Sequence, residues 1–144
     1  MFKKVLTPAK TTPFFDWALL ILRLALGVLM LTHGWGKLSK ILSGSYEFGD
    51  PIGLGPVASL YLATFAEFGC SILVILGLGT RLAVIPLMIV MLVAALIVHA
   101  DDPFGRKEKP LLYLFPFLAL LITGPGKFSL DFYLFGKANR EASE

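Results

Sequence analysis

A single cysteine, Cys70, stands in a chain of 144 residues. One thiol excludes an internal disulfide, a Cys-x-x-Cys redox pair, a thiolate zinc site and an iron–sulfur cluster. Histidine is almost as scarce, with only His33 and His99. Charged residues make up 16% of the chain, against about 25% in a soluble domain, and this deficit argues against a soluble enzyme. The net charge of +3 is small and lies in the loops. Nucleic acid is excluded as a partner because there is no clustered basic face. No Gly-rich phosphate loop and no low-complexity run occurs. What is abundant is apolar: 56% hydrophobic and 12% aromatic residues, with a mean hydropathy of +0.78. Disorder needs the opposite composition, and the length suits one domain.

The apolar residues fall into runs. Residues 1–14 form a short basic arm with Lys3, Lys4 and Lys10, and Pro13 suits a helix start. Phe15–Leu38 is long enough to span a bilayer at about 1.5 Å per residue. It is too long for a signal-peptide core and does not end in a small-x-small cleavage site. A polar, Gly-rich loop covers Ser39–Pro56. Val57–Leu78 is a second span, interrupted by Glu67, and Leu82–Ala100 a third. The tight turn at residues 77–81 makes these two antiparallel neighbours. Leu111–Thr123 is a shorter fourth run that reaches across if its helix begins near Lys107, with Pro116 as a kink. Phe128–Phe135 reads as an aromatic interfacial segment, and residues 136–144 as a polar tail. Lipid leaves no water for backbone groups, and these runs lack the alternation of a barrel. The expected fold is therefore all-α: a four-transmembrane-helix antiparallel bundle over residues 15–135, with a short C-terminal interfacial segment.

Lys and Arg set the orientation. With the N-terminus inside, Lys3, Lys4, Lys10, Arg81, Lys127, Lys137 and Arg140 are cytoplasmic. Lys37, Lys40, Arg106, Lys107 and Lys109 then lie outside. The balance places both termini in the cytoplasm of a plasma (bacterial inner) membrane protein.

Arg23 and Glu67 are charges inside apolar runs, and each costs about 2.5–3.5 kcal/mol at the centre of a span. Both should face the bundle and find a partner. Arg23, Gly27, Met30, Gly34 and Lys37 recur at steps of four and three, on one helix face, with glycines that allow close approach. Glu67 shares a face with Ala63, Thr64, Cys70 and Ser71. Arg23 and Glu67 are candidates for a structural ion pair that fixes helix register, or for the polar floor of an interior cavity. His33 and Lys37 end the first span, and His99 ends the third beside Asp101 and Asp102. Antiparallel threading puts them in one layer, where they read as the outer wall of a small-molecule site or as residues snorkelling to water. A bis-His haem between His33 and His99 is conceivable but rests on two histidines without a motif. No metal site is expected. Trp17, Trp35, Tyr46, Tyr61, Tyr113 and Tyr133 fit interfacial belts, and Met30, Met88, Met91 and Cys70 fit packing.

These residues resemble the DoxX family of small four-helix membrane proteins. The first span, Arg23-Leu-Ala-Leu-Gly27-Val-Leu-Met-Leu-Thr-His-Gly34-Trp-Gly-Lys37-Leu38, is similar to its Arg…Gly…Gly-x-x-Lys-Leu pattern. The second, Glu67-Phe-Gly69…Gly77-Leu-Gly-Thr80-Arg81, is similar to its Glu-x-Gly…Gly-Leu-x-Thr-Arg stretch. His99, Glu108-Lys109 and Gly124-Pro-Gly126-Lys-Phe-Ser-Leu-Asp131 also fit, so the resemblance covers about residues 15–135. It implies a redox or quinone setting: members are linked to thiosulfate:quinone oxidoreduction, to oxidative-stress complexes and to quinone or catechol resistance. Fold-level likeness does not set a reaction.

The expectation is thus a redox-associated integral membrane subunit that binds a quinone-like or other small amphipathic molecule in the bundle. Its ligand-binding residues are Arg23, Glu67, His33, Lys37 and His99. No intrinsic cofactor is expected beyond a bound quinone, so any catalysis is that of a subunit in a quinone-linked oxidoreductase fed by a protein partner or a second copy. The alternatives are a non-catalytic anchor or assembly subunit of a larger complex and, further off, a small-solute transporter.

Overall fold

A computed structural model describes residues 13–136, and the basic arm up to residue 12 and the tail from residue 137 lie outside the described residues. The described chain is helical with no strand. Helix α1 is Pro13–Leu42, with proline in its first turn where no N–H partner is needed. Helix α2 is Pro56–Leu76, α3 is Thr80–Val98, and α4 is Phe104–Thr123. A single π-helical turn, Phe132–Gly136, follows. Helices α1, α2 and α3 are each long and apolar enough to cross a membrane. Helix α4 starts earlier than its apolar run, because Arg106, Lys107, Glu108 and Lys109 form its first turns. It is long enough in residues, but those charges set it apart from the other three.

Helix α1 packs on α2, α2 on α3, α3 on α4, and α4 back on α1. The core between them includes Met30, Val74, Val84, Leu87, Phe117 and Leu120. Large apolar side chains such as Ile21, Leu96, Leu112 and Ile122 stay exposed on the outside. An apolar perimeter of this kind is what a lipid solvent selects.

The glycine face of α1 behaves as its spacing predicts. Arg23, Gly27, Met30 and Gly34 are all buried. A Cβ at Gly34 would sit 2.5 Å from the Glu67 carbonyl carbon and the Phe68 nitrogen, and one at Gly27 would meet Ile75. Gly34 thus sets Glu67 against the C-terminal third of α1. Around Glu67 the helix is π-helical over Phe65–Cys70, and a second π segment, Ala94–Val98, precedes His99. Inserted π turns re-aim side chains and occur often at functional sites. The Ser71 hydroxyl donates to the Glu67 carbonyl at 2.6 Å, satisfying it where the helical ladder is interrupted.

The end of the bundle that holds the described termini is closed by residues 124–131. Asp131 accepts from the Gly79 and Thr80 N–H groups at 2.6 and 3.0 Å, capping α3 from fifty residues away. Its own N–H donates to the Gly77 carbonyl at 2.8 Å. Gly77 has φ 69° and lies directly under the Arg23 guanidinium, so both its backbone and its lack of a side chain are required. Asp16 accepts from the Lys127 N–H at 3.0 Å.

Candidate functional site

At the opposite end, α1 brings His33 and Lys37 to the wall of a cavity, the first π turn brings Glu67, and the second delivers His99. The Lys37 ammonium donates to the Glu67 carboxylate at 2.5 Å. Glu67 is buried, while the Lys37 side chain keeps 22% of its surface exposed, so the pair is anchored on the carboxylate side.

Two cavities share this pair. One, of about 400 Å³, is polar and lies between α1, α3 and α4, with His33, Lys37, Glu67, His99, Lys109 and Tyr113 on its wall. The other, of about 510 Å³, is an apolar groove between α2 and α3, partly roofed by Phe48, Pro51 and Ile52 of the first loop. Lys37, Glu67 and Ala94 line both. Volumes of several hundred Å³ with an apolar wall and a few convergent polar groups are typical of small-molecule sites.

His99 is held by its neighbour: Nδ1 is 2.7 Å from an Asp102 carboxylate oxygen, which is also 3.5 Å from the Arg106 guanidinium. The hydrogen bond from His99 is the main cause that keeps the Asp102 carboxyl below its ordinary value; burial opposes it, and the nearby Arg106 charge adds a smaller lowering. A carboxylate on one ring nitrogen selects the tautomer of the other. His33 packs edge-on against Tyr113, with ring centres 6.0 Å apart.

Four of the five residues expected to bind a ligand therefore line one cavity: Glu67, His33, Lys37 and His99. Arg23 does not. The Arg23–Glu67 ion pair expected from the sequence is not formed. Arg23 donates to the Pro125 and Phe128 carbonyls at 3.1 and 2.7 Å, at the closed end. Fourteen positions of α1 separate Arg23 from Lys37, about 21 Å along the axis, and the Gly34 contact fixes Glu67 beside Lys37. A guanidinium buried in an apolar helix found backbone carbonyls of the segment after α4 in place of a carboxylate.

Sequence reasoning missed Arg106, Lys109 and Tyr113, which were read as loop charges and belt. Their spacing of three and four is that of one helix face, and it becomes visible once α4 is started at Phe104. It also gave no role to Asp16 or to Asp131, both buried, whose partners lie far away in sequence.

A family model described as DoxX matches residues 18–100 of this chain. A protein of Escherichia coli (strain K12) described as inner membrane protein YqjF is 30% identical over 120 residues, which is 81% of this chain and 91% of that protein. No solved structure matches.

Proposed function

The chain belongs to the DoxX family of membrane proteins, and we propose that it is a redox-associated subunit that binds a quinone-like or other small amphipathic molecule at its distal end. The observation that carries this reading is the Lys37–Glu67 pair on the wall common to a polar cavity and an apolar groove. A head group in the polar cavity is in reach of Lys37, His33, His99 and Tyr113, and its tail lies along Leu62, Val90 and Val93 between α2 and α3. An ammonium and a hydrogen-bonded imidazole are donors suited to a ring oxygen. Because the chain supplies one cysteine and two histidines, electrons reach such a ligand from a partner.

In this reading α4 completes the bundle as a fourth span, with its charged first turns at the membrane surface. The relative is described as an inner membrane protein, and we place this chain in the same kind of membrane with both termini cytoplasmic, on the Lys and Arg balance of its loops.

The test is purification of the full chain in a neutral detergent, lipid extraction with mass spectrometry, and thermal unfolding with added short-chain amphiphiles, a benzoquinone among them. Retained amphiphile or a raised midpoint supports the reading. A chain that carries no small molecule and is stabilised by none of the probes overturns it in favour of a bare anchor.

A further inference from the structure

The charge around the polar cavity is unbalanced. Lys37, Arg106 and Lys109 lie on its wall, and Glu67 is the carboxylate among its described lining residues. Glu67 is already bonded to Lys37. Asp102 stands beside the cavity, divided between His99 and Arg106. Lys109 has no hydrogen-bond or ion-pair partner among the described residues, and the His33 ring nitrogens and Tyr113 hydroxyl make no hydrogen bond among them. Gly105 brings the first turn of α4 to the same wall, adding the positive end of a helix dipole.

Across the Lys37–Glu67 pair, the groove is walled by Leu62, Ala66, Pro86, Val90, Val93 and Val98. A neutral head group gains no charge attraction from Arg106, Lys109 and the helix end, all of which are exposed. A cationic head group is repelled by all three. We infer that the ligand class of this site is an anionic amphiphile, an ionised oxygen acid (carboxylate or acidic phenol type) carried on an apolar tail. This rests on the reading that the site takes an amphipathic molecule, and it adds the sign of the head group. Lys109 and Arg106 receive the anion at the mouth, His33 and Tyr113 supply hydrogen bonds inside, and the tail passes the Lys37–Glu67 pair into the groove.

The experiment is calorimetric titration of the full chain, in neutral detergent near neutral pH, with octanoate, octanamide, octylammonium and acetate. Octanoate binds about tenfold tighter than octanamide, the margin of one hydrogen bond to a charged group. Octylammonium and acetate bind more weakly than octanoate, and added salt narrows the octanoate advantage. Exchange of the exposed pair, Arg106→Gln with Lys109→Gln, lowers octanoate to the octanamide level. Octanamide binding as tightly as octanoate overturns the anionic class while the amphipathic reading stands. Acetate matching octanoate overturns the role of the tail. An octanoate preference that survives the double exchange overturns this placement of the anion. Binding of none of the four overturns the amphipathic reading itself.

Discussion

Lys37 and Glu67, thirty residues apart in the chain, meet at 2.5 Å on the wall shared by a polar cavity and an apolar groove. The pair is asymmetric: the Glu67 side chain is 6% exposed and that of Lys37 22%. Removal of one partner strands the other, at a cost of about 3–5 kcal/mol when the stranded charge is buried. Lys37→Met strands a carboxylate that is 6% exposed. Glu67→Leu strands an ammonium that can turn outward. Lys37→Met is therefore the more damaging single change in thermal unfolding, and Lys37→Met with Glu67→Leu regains most of the loss. The double variant should fold and yet bind no amphiphile. Equal destabilisation by the two singles contradicts the asymmetry.

The contact between α1 and α2 gives a second expectation. At Gly34 an added methyl meets backbone of Glu67 and Phe68, whereas at Gly27 its nearest neighbour is a side chain, Ile75, with Cγ1 at 2.5 Å, and the nearest backbone atom, the Ser71 carbonyl oxygen, is 3.2 Å away. Gly34→Ala should cost about 1–3 kcal/mol and weaken ligand binding, because it pushes Glu67 away from Lys37. Gly27→Ala should cost less and leave binding within about twofold. Thermal unfolding and ligand titration of the two variants side by side decide it.

The glycine face of α1 and the small-residue face around Glu67 were legible in the sequence, because helical spacing alone puts Arg23, Gly27, Met30 and Gly34 together, and all four are buried. The layer of His33, Lys37 and His99 was legible for the same reason. The partner of Glu67 was not. Reach and charge sign admit either Arg23 or Lys37, and the choice depends on where α1 and α2 cross, which a methyl-sized gap at Gly34 decides. The closed end was hidden more deeply. Asp131 caps a helix it follows by about fifty residues, and Arg23 bonds to carbonyls, which every residue carries, so no residue type announces the contact.

Arg23 is consequently a fastening for residues 125–128 rather than a ligand group. Arg23→Ala removes two hydrogen bonds from a charged donor, and should cost roughly 1.5–3 kcal/mol for each. Hydrogen exchange should rise across residues 124–131, while amphiphile affinity stays within about twofold. Lost affinity without increased exchange at this segment contradicts the assignment.

Asp102 gives a pH dependence. Its carboxyl is held below the ordinary aspartate value by the His99 hydrogen bond and the Arg106 charge. A group depressed in the folded state contributes stability above its unfolded value, about 3.9, and that contribution fades as pH falls toward the folded value. Wild type should be more stable than Asp102→Asn near neutral pH, and the two midpoints should converge below about pH 4. A gap that widens on acidification contradicts the pairing. Being solvent-facing, the pair gives a small gap at any pH.

The most direct measurement is photo-crosslinking of an alkyl probe with a diazirine at the far end of its tail, made with a benzoquinone head and with a carboxylate head. Peptide mapping by mass spectrometry should find the tail on α2 and α3, at Leu62, Val90 and Val93 of the groove, with labelling competed away by unlabelled probe and absent in Lys37→Met with Glu67→Leu. Labelling spread over the outward faces of α1 and α4 and unaffected by competitor contradicts a site at the Lys37–Glu67 pair.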